Sequence, residues 1–560
     1  MKVRPRITTV ALGVAVVIVL CILFILPFGR LAIIAGTRGG IPTMENLRML
    51  APSGADFRAL RNSMLVGVLS TTLAVGGAAI ASWLLERTDV PGARFWSWAL
   101  ILPYFIPPFV TAFAWTRLLG PIGYYNLILM NTFGLDRAPI SIYGAGGVVA
   151  ISAIYGFPFA FLILRRAIRN SDGSLEEAAR ISGSSPLRSA VTVTLPTLLP
   201  SIGAAAIIVF VTTVSMFGIP AILGVPGRFV VLTTRIYAYV GSFGNRYGLN
   251  IAAALSLVLL LIGTLGLLAQ QWVIRRERFV TITGKSLQAA PVQLGALRWV
   301  VAAFFGVVIA LGVFAPIAAL LATGITRSLG VPLLAGNVTL AHFATVFTGM
   351  PVVARSTRNS LLLGLGIATI TTIVATGVVF LRRYGRSGIE RRLARTADIL
   401  LSVPYAVPGM VIGIAMIVTW IRPVLGIRVY NTWWILAMAY LVRFMIFPLR
   451  SADAATRALD PSLIEAAQLS GSTPARITVD IVTPLIRPSL ISGWILVFMP
   501  ALTELTLSIL LYSPGNETIG VTAYNIIQEG LLPVASALAV LITLGVLLID
   551  LILRRLGDHE

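Results

Sequence analysis

The sequence predicts an all-α integral membrane protein of about twelve transmembrane helices in two parallel six-helix repeats, and three observations carry that prediction. Of the 560 residues, 57% are hydrophobic and only 11% charged, with a mean hydropathy of +0.92; a soluble domain carries about 25% charged residues. Apolar stretches of about twenty residues, enough to cross the hydrocarbon core as helices, recur along the whole chain. A short polar segment appears twice: Glu177-Ala178-Ala179, Gly183, Val193, Leu195 and Pro196, then Glu465-Ala466-Ala467, Gly471, Ile481 and Pro484. The glutamate precedes the glycine by six positions in both copies, and the proline follows it by thirteen.

The spans are expected near 8–28, 63–85, 96–118, 144–166, 197–218 and 249–272, then near 299–323, 360–381, 397–420, 432–449, 488–512 and 532–553. The first exceeds the apolar core of a signal peptide, and Pro27-Phe28-Gly29-Arg30 lacks the small residues of a cleavage site, so it reads as a retained helix. The second and eighth open on Arg61-Asn62-Ser63 and Arg358-Asn359-Ser360, with Gly67 and Gly364 one turn on. Pro103-Tyr104 with Pro107 in the third corresponds to Pro404-Tyr405 with Pro408 in the ninth, and Phe157-Pro158 in the fourth to Phe447-Pro448 in the tenth. A nearly constant offset means duplication in the same order. Six spans per copy is an even number, so the repeats run parallel, about an axis along the membrane normal. The division is a first repeat over 1–275, a linker over 276–297 and a second repeat over 298–560.

Charge gives the sidedness. The formal net charge is +22, from 43 basic and 21 acidic residues. The basic residues sit in short segments between apolar runs, as cytoplasmic loops do, and not on a basic soluble face, which excludes nucleic acid as a partner. Arg165, Arg166, Arg169, Arg180 and Arg188 surround the first polar segment; Arg450, Arg457, Arg476 and Arg487 surround the second. Both segments and both termini are therefore expected in the cytoplasm, although Arg38, Arg48 and Arg58 fall on the other side. The single Cys21 excludes a disulfide within the chain, and His342 and His559 form no metal-ligand pair.

Locally, Ser174 offers an N-cap with Glu177 three residues on as a capping box, and Gly183 a left-handed stop. Ser185-Pro186 then opens a fresh helix, and Thr473-Pro474 does so after Gly471. The expected shape is a short helix, a sharp turn and a second helix returning to the membrane. Within the spans, polar residues are candidates for a solute pathway because burying them in lipid is costly. Arg443 and Glu504 stand out, the alternatives being an arginine that caps helix carbonyls and a glutamate at an interface. Prolines 103, 107, 404 and 408 break helices and free carbonyls, which places Pro103, Tyr104, Pro107, Pro404, Tyr405 and Pro408 on the candidate pathway.

The pattern E-A-A-x-x-x-G-x9-[IV]-x-L-P resembles the cytoplasmic loop of binding-protein-dependent ABC importer permeases. The second copy departs once, with Thr483 where leucine is usual. The resemblance implies the type I permease fold, a bacterial inner-membrane location, two ABC ATPase subunits on the cytoplasmic side and a periplasmic solute-binding protein. It assigns ATPase coupling to Glu177, Ala178, Ala179, Gly183, Glu465, Ala466, Ala467 and Gly471. It also implies that this chain binds no cofactor, ATP and Mg being used by the partner ATPase. Gly284-Lys285-Ser286 does not make a P-loop, since the first glycine of that motif would fall on Phe279. The runs Ser215 to Gly224, Val231 to Tyr237, Thr281 to Lys285 and Tyr440 to Phe444, and Glu504-Leu505 with Leu511 to Gly515, are similar to fused ferric-iron importer permeases. They add Ser215 and Phe217 to the candidate pathway; the thiamine, polyamine and aminoethylphosphonate permeases are neighbouring groups. An ion-coupled secondary transporter would need intramembrane carboxylates or histidines, and the spans offer little beyond Glu504 and Asp550. A membrane-embedded enzyme would need a nucleophile–base or metal constellation, and none is evident.

Overall fold

The computed structural model describes residues 7–558 except 49–50, 52–53, 243, 278–289, 332–334, 386, 403–406, 425 and 473–475. Pro404, Tyr405, Thr473-Pro474, the motif at 281–285 and His559 lie outside the described residues.

Among the described residues each expected span contains helix. In the first half these are α1 (Gly13–Ala35), α2 (Ala55–Arg87), the pair α3 (Ala93–Phe105) and α4 (Pro108–Phe133), and α5 (Ala145–Asn170). Helix α6 (Ser174–Ile181) is the first polar segment. There follow α7 (Pro186–Ser215), the short α8 (Leu232–Gly241) and α9 (Gly248–Val273). The second half repeats the order: α10 (Leu297–Gly324) and α11 (Pro351–Tyr384), α12 (Gly388–Ser402), α13 (Gly409–Trp420), α14 (Trp433–Ala458), α15 (Pro461–Leu469), α16 (Ile477–Leu502), α17 (Ile519–Gln528) and α18 (Leu532–Leu553). Ten of these helices are long and apolar enough to span a bilayer, and eleven if the bent α3–α4 pair counts as one span.

The third span differs from the straight helix over 96–118 that apolarity alone predicts. The chain turns by 98° between α3 and α4, because Pro107 is held extended at φ −54°, ψ 139° and prolines lack the N–H groups that would continue the ladder. Pro408 repeats the device before α13 at φ −56°, ψ 143°.

Within each half the second, fourth and fifth spans pack together: α2, α5 and α7, then α11, α14 and α16. The paired glycines explain how closely. A Cβ on Gly67 would lie 2.6 Å from Phe210 and Val214 of α7, and one on Gly364 3.1 Å from Phe498 of α16. The Arg-Asn-Ser motifs have a shared task as well. Ser63 Oγ accepts from the Leu232 N–H at 2.8 Å, and Ser360 Oγ from the Ile519 N–H at 2.8 Å, satisfying donors that the first turns of α8 and α17 leave open. Asn62 donates to the Val230 carbonyl at 2.9 Å, and Asn359 to that of Glu517 at 3.0 Å. An ion pair closes each joint with the charges exchanged: Arg235 of α8 to Asp56 of α2 at 2.6 Å, and Arg355 of α11 to Glu517 at 3.1 Å.

The halves are joined by exchange. Helix α1 packs on α9 of its own half and reaches across to α13, and α10 packs on α18 and reaches across to α4. The sixth spans follow them, α9 meeting α13 and α18 meeting α4. One continuous apolar core runs through both halves.

Candidate functional site

The first polar segment is a helix held from behind and bare in front. Its cap differs from the expected Ser174 N-cap: the residue before the helix is Gly173, with no side-chain cap, and the Asp172 carboxylate accepts from the Ser174 N–H at 3.0 Å. The second segment repeats this, Asp460 accepting from the Ser462 N–H at 2.9 Å. Those hydrogen bonds from Ser462 hold the Asp460 carboxyl below its ordinary range. The expected capping box does not form either, since Glu177 turns outward to accept from the Ala290 N–H at 3.1 Å.

Both helices stop where predicted. Gly183 and Gly471 take φ of +86° and +78°, a left-handed conformation that costs other L-residues strain. The Ser184 N–H returns to the Ala179 carbonyl at 2.9 Å and the Ser472 N–H to that of Ala467 at 3.0 Å, bonds that satisfy carbonyls the helix end leaves open. The Ser185 cap forms, its Oγ accepting from the Arg188 N–H at 3.3 Å. The chain then runs along α7, which contains a π-turn at Ala190–Thr194, and along α16, which opens on one at Ile477–Val482.

Ala178 and Ala466 are exposed, Ala179 is half-buried and Ala467 is buried. Two apolar positions that the motif does not contain are more prominent: Ile181 and its counterpart Leu469 are 87% and 89% exposed, with Leu175 and Leu463 also open. Their repetition at the offset of the glutamates was a readable signal.

Behind the helices the two loops differ. Arg87, at the end of α2, gives its Nε to both oxygens of Glu176, at 3.0 and 3.1 Å, and its Nη2 to Ser171 Oγ at 2.7 Å. Both partners are buried, at 2% and 4% exposure. The corresponding positions of the second half are Tyr384 and Ile464. There Ile464 and Ala467 pack with Phe380, Ile477, Val482 and Ile486, and Tyr384 lies against that cluster. Arg382 beside it pairs with Asp398 of α12 at 3.0 Å and with Asp453 of α14.

Deep between the halves lies a second polar group. Tyr155 of α5 is within electrostatic reach of Tyr104 of α3, Glu504 and Arg443 of α14. All four keep some accessible surface. Arg443 donates Nη1 to the Val407 carbonyl at 2.7 Å, just ahead of the break at Pro408. Glu504 lies beyond the end of α16 and accepts from the Leu507 N–H at 2.9 Å. Tyr440 shares a 2.6 Å hydrogen bond with Ser508. Tyr104 packs edge-on against Phe105 and Phe159, with Pro103 half-buried beside it and Pro107 buried at the bend. Ser215 spends its hydroxyl on the Val211 carbonyl at 2.6 Å. Phe217 is fully buried between Tyr237 of its own half and Tyr524 of the other, with ring centroids 5.1 and 5.8 Å away. It packs at the boundary between the halves. Tyr155 belongs to this group although no sequence motif marks it, and Tyr440 joins it from the run Tyr440 to Phe444. Among the described residues no three His, Cys, Asp or Glu side chains converge as metal ligands.

Two interlocked helical repeats, each with a capped polar helix between its fourth and fifth spans, define a multi-pass permease with both pore-forming halves in one chain. The family of binding-protein-dependent transport system inner membrane components matches residues 89–279 and 373–559, and the chain belongs to that family. It is 28% identical over 538 residues to the ferric transport system permease protein FbpB of Actinobacillus pleuropneumoniae, which covers 94% of this chain and 75% of the relative. A putative ferric transport system permease protein, FbpB 1 of Haemophilus influenzae, is 28% identical over 511 residues, 88% of this chain and 77% of the relative. The molybdenum transport system permease protein ModB of Escherichia coli is 27% identical over 225 residues, 40% of this chain but 95% of the relative. That relative is about one repeat long, so this chain is a fused ABC importer permease.

Proposed function

We propose that this chain passes ferric iron across the bacterial inner membrane, taking it from a periplasmic binding protein and using ATP hydrolysed by two separate ATPase subunits. The observation that carries the reading is likeness to ferric permeases along 94% of the chain. On this reading the repeats are 1–275 and 298–560, joined by 276–297, with both polar loops and both termini in the cytoplasm. The ATPases grip Glu177 to Gly183 and Glu465 to Gly471, and the exposed Ile181 and Leu469 supply the apolar contact, since bare apolar patches mark interaction surfaces. ATP binding draws the two loops together and opens the cavity outward; hydrolysis returns it inward. Contacts that differ between the two states are what allow the ATPase to bias them. Tyr104, Arg443 and Glu504, with Pro103, Pro107, Pro404, Tyr405, Pro408, Ser215 and Phe217, border the path. The chain holds no cofactor of its own, and iron is cargo.

The test is reconstitution of the chain with its ATPase and binding protein in liposomes. Iron uptake that requires ATP and the loaded binding protein, and that Gly183→Pro with Gly471→Pro abolishes in a folded complex, is expected. Uptake without the ATPase refutes the ATP-driven reading. Stimulation by molybdate-loaded or polyamine-loaded binding protein, with none by iron, refutes the choice of solute.

A further inference from the structure

The two loops look alike from the front and are wired differently behind. Just before α10, residues 290–294 cross the base of the first loop. Glu177 accepts from the Ala290 N–H at 3.1 Å, and Arg180 donates to the Ala290 carbonyl at 3.0 Å. Val292 pairs in parallel with Thr88, donating to the Arg87 carbonyl at 2.9 Å and accepting from the Asp89 N–H at 3.2 Å. Asp89 takes the Leu294 N–H at 2.8 Å and reaches Arg298 of α10 at 3.5 Å. The residue whose carbonyl receives Val292 is Arg87, which clamps Glu176. Helix α6, the end of α2 and the start of α10 are thereby one hydrogen-bonded body. Since α10 packs on α4 and α18, that body spans both halves.

Among the described residues the second loop has no such strap. Glu465 is exposed and makes no hydrogen bond or ion pair among the described residues, and the Ile464 cluster draws only on its own half.

We propose that residues 290–294 are a strap making the first loop the one that drives both halves, with Arg87, Asp89, Glu176 and Glu177 as its positioning residues, while the second loop moves its own half. This rests on the reading of α6 and α15 as ATPase docking helices. Its physical basis is directional. A helix tied by backbone and charged hydrogen bonds on two sides transmits displacement to both, whereas an apolar cluster resists separation but permits sliding. The buried Arg87–Glu176 pair supplies rigidity, because pulling the carboxylate away leaves an uncompensated buried charge. Two identical ATPases would then do unequal work on the two halves.

The test uses the complete complex, with this chain, its ATPase and the loaded binding protein in liposomes, and compares wild type with Asp89→Ala/Val292→Pro, which removes strap bonds without touching either exposed docking face. Stimulated ATP hydrolysis should persist while solute carried per ATP falls at least about fivefold, the lower end of an ordinary coupling between sites. Hydrogen exchange should rise together over 174–181 and 297–305 and stay unchanged over 461–469. Arg87→Ala should show the same loss, with Arg87→Tyr/Glu176→Ile, which copies the anchor of the second half, rescuing exchange over 174–181. Unchanged solute per ATP in the strap variant, or exchange that rises over 174–181 alone, overturns the proposal. If the wild-type complex shows no ATP-driven uptake, the functional reading fails instead, and the exchange pattern still decides the strap.

Discussion

Replacing Gly183 by alanine isolates one term of the first polar loop's geometry. The residue sits at φ +86°, and a Cβ there would meet nothing within 4 Å. Alanine therefore adds no clash, and its whole effect is the cost of a left-handed backbone, about 1–2 kcal/mol for an L-residue. That cost falls on the turn that ends α6 and is equivalent to about a 5- to 30-fold rise in the population of the opened turn, 1.4 kcal/mol being tenfold. Asparagine tolerates this conformation better, so Gly183→Asn should fall between wild type and alanine. Hydrogen exchange at Ser182 to Ser185 in the purified complex reads the opening directly. Gly471→Ala, at φ +78° with the same open surroundings, should match it at 470–472. Protection equal to wild type in Gly183→Ala, or asparagine as harmful as alanine, would refute the argument that backbone conformation alone makes glycine necessary.

Three further outcomes follow from the repeated joints. Gly67→Ala should destabilise the purified protein by about 1–3 kcal/mol through overpacking, and Gly364→Ala by less, because its Cβ starts 3.1 Å from Phe498 where the other starts 2.6 Å from Phe210; a thermal melt in detergent that reverses this order contradicts the packing account. Ser63→Ala and Ser360→Ala each strip the acceptor from a buried N–H, of Leu232 and Ile519, at about 1–3 kcal/mol apiece, and equal losses are expected because the two bonds are equivalent. Burial alone would raise the Glu517 carboxyl, but hydrogen bonds from Arg355 and the Gly515 N–H outweigh it and hold the group below its ordinary 4.5. A depressed carboxyl contributes stability above that ordinary value and loses it as pH falls through the depressed one; Glu517→Gln should therefore flatten the acid limb of the melting curve below about pH 4.5 and leave neutral pH as its region of greatest loss.

Membrane insertion, the duplication and the glycine stops were all open to inspection in the chain, because each depends on local composition or on spacing that repeats. Apolarity over twenty residues requires a helix in lipid wherever its neighbours lie, and a left-handed stop is a property of one residue. The Arg-Asn-Ser motifs were visible as repeats, but their purpose was not: Ser63 and Leu232 are far apart in sequence, and only folding brings acceptor to donor. The same holds for Arg87 and Glu176, a pair that no periodicity links, and for the cap, where Ser174 offered the usual residue type and Asp172 two positions earlier had the geometry. Pro107 could be read as a helix break, but not as a 98° turn, since proline removes a hydrogen bond and neighbouring helices set the angle. The sequence by itself determined two alike halves, each with a short polar helix stopped by a left-handed glycine. Tertiary structure alone decided that they are not equivalent, because similar loop fronts rest on an ion pair and a strap in one half and, among the described residues, on an apolar cluster in the other, and such contacts exist only between residues that the fold brings together.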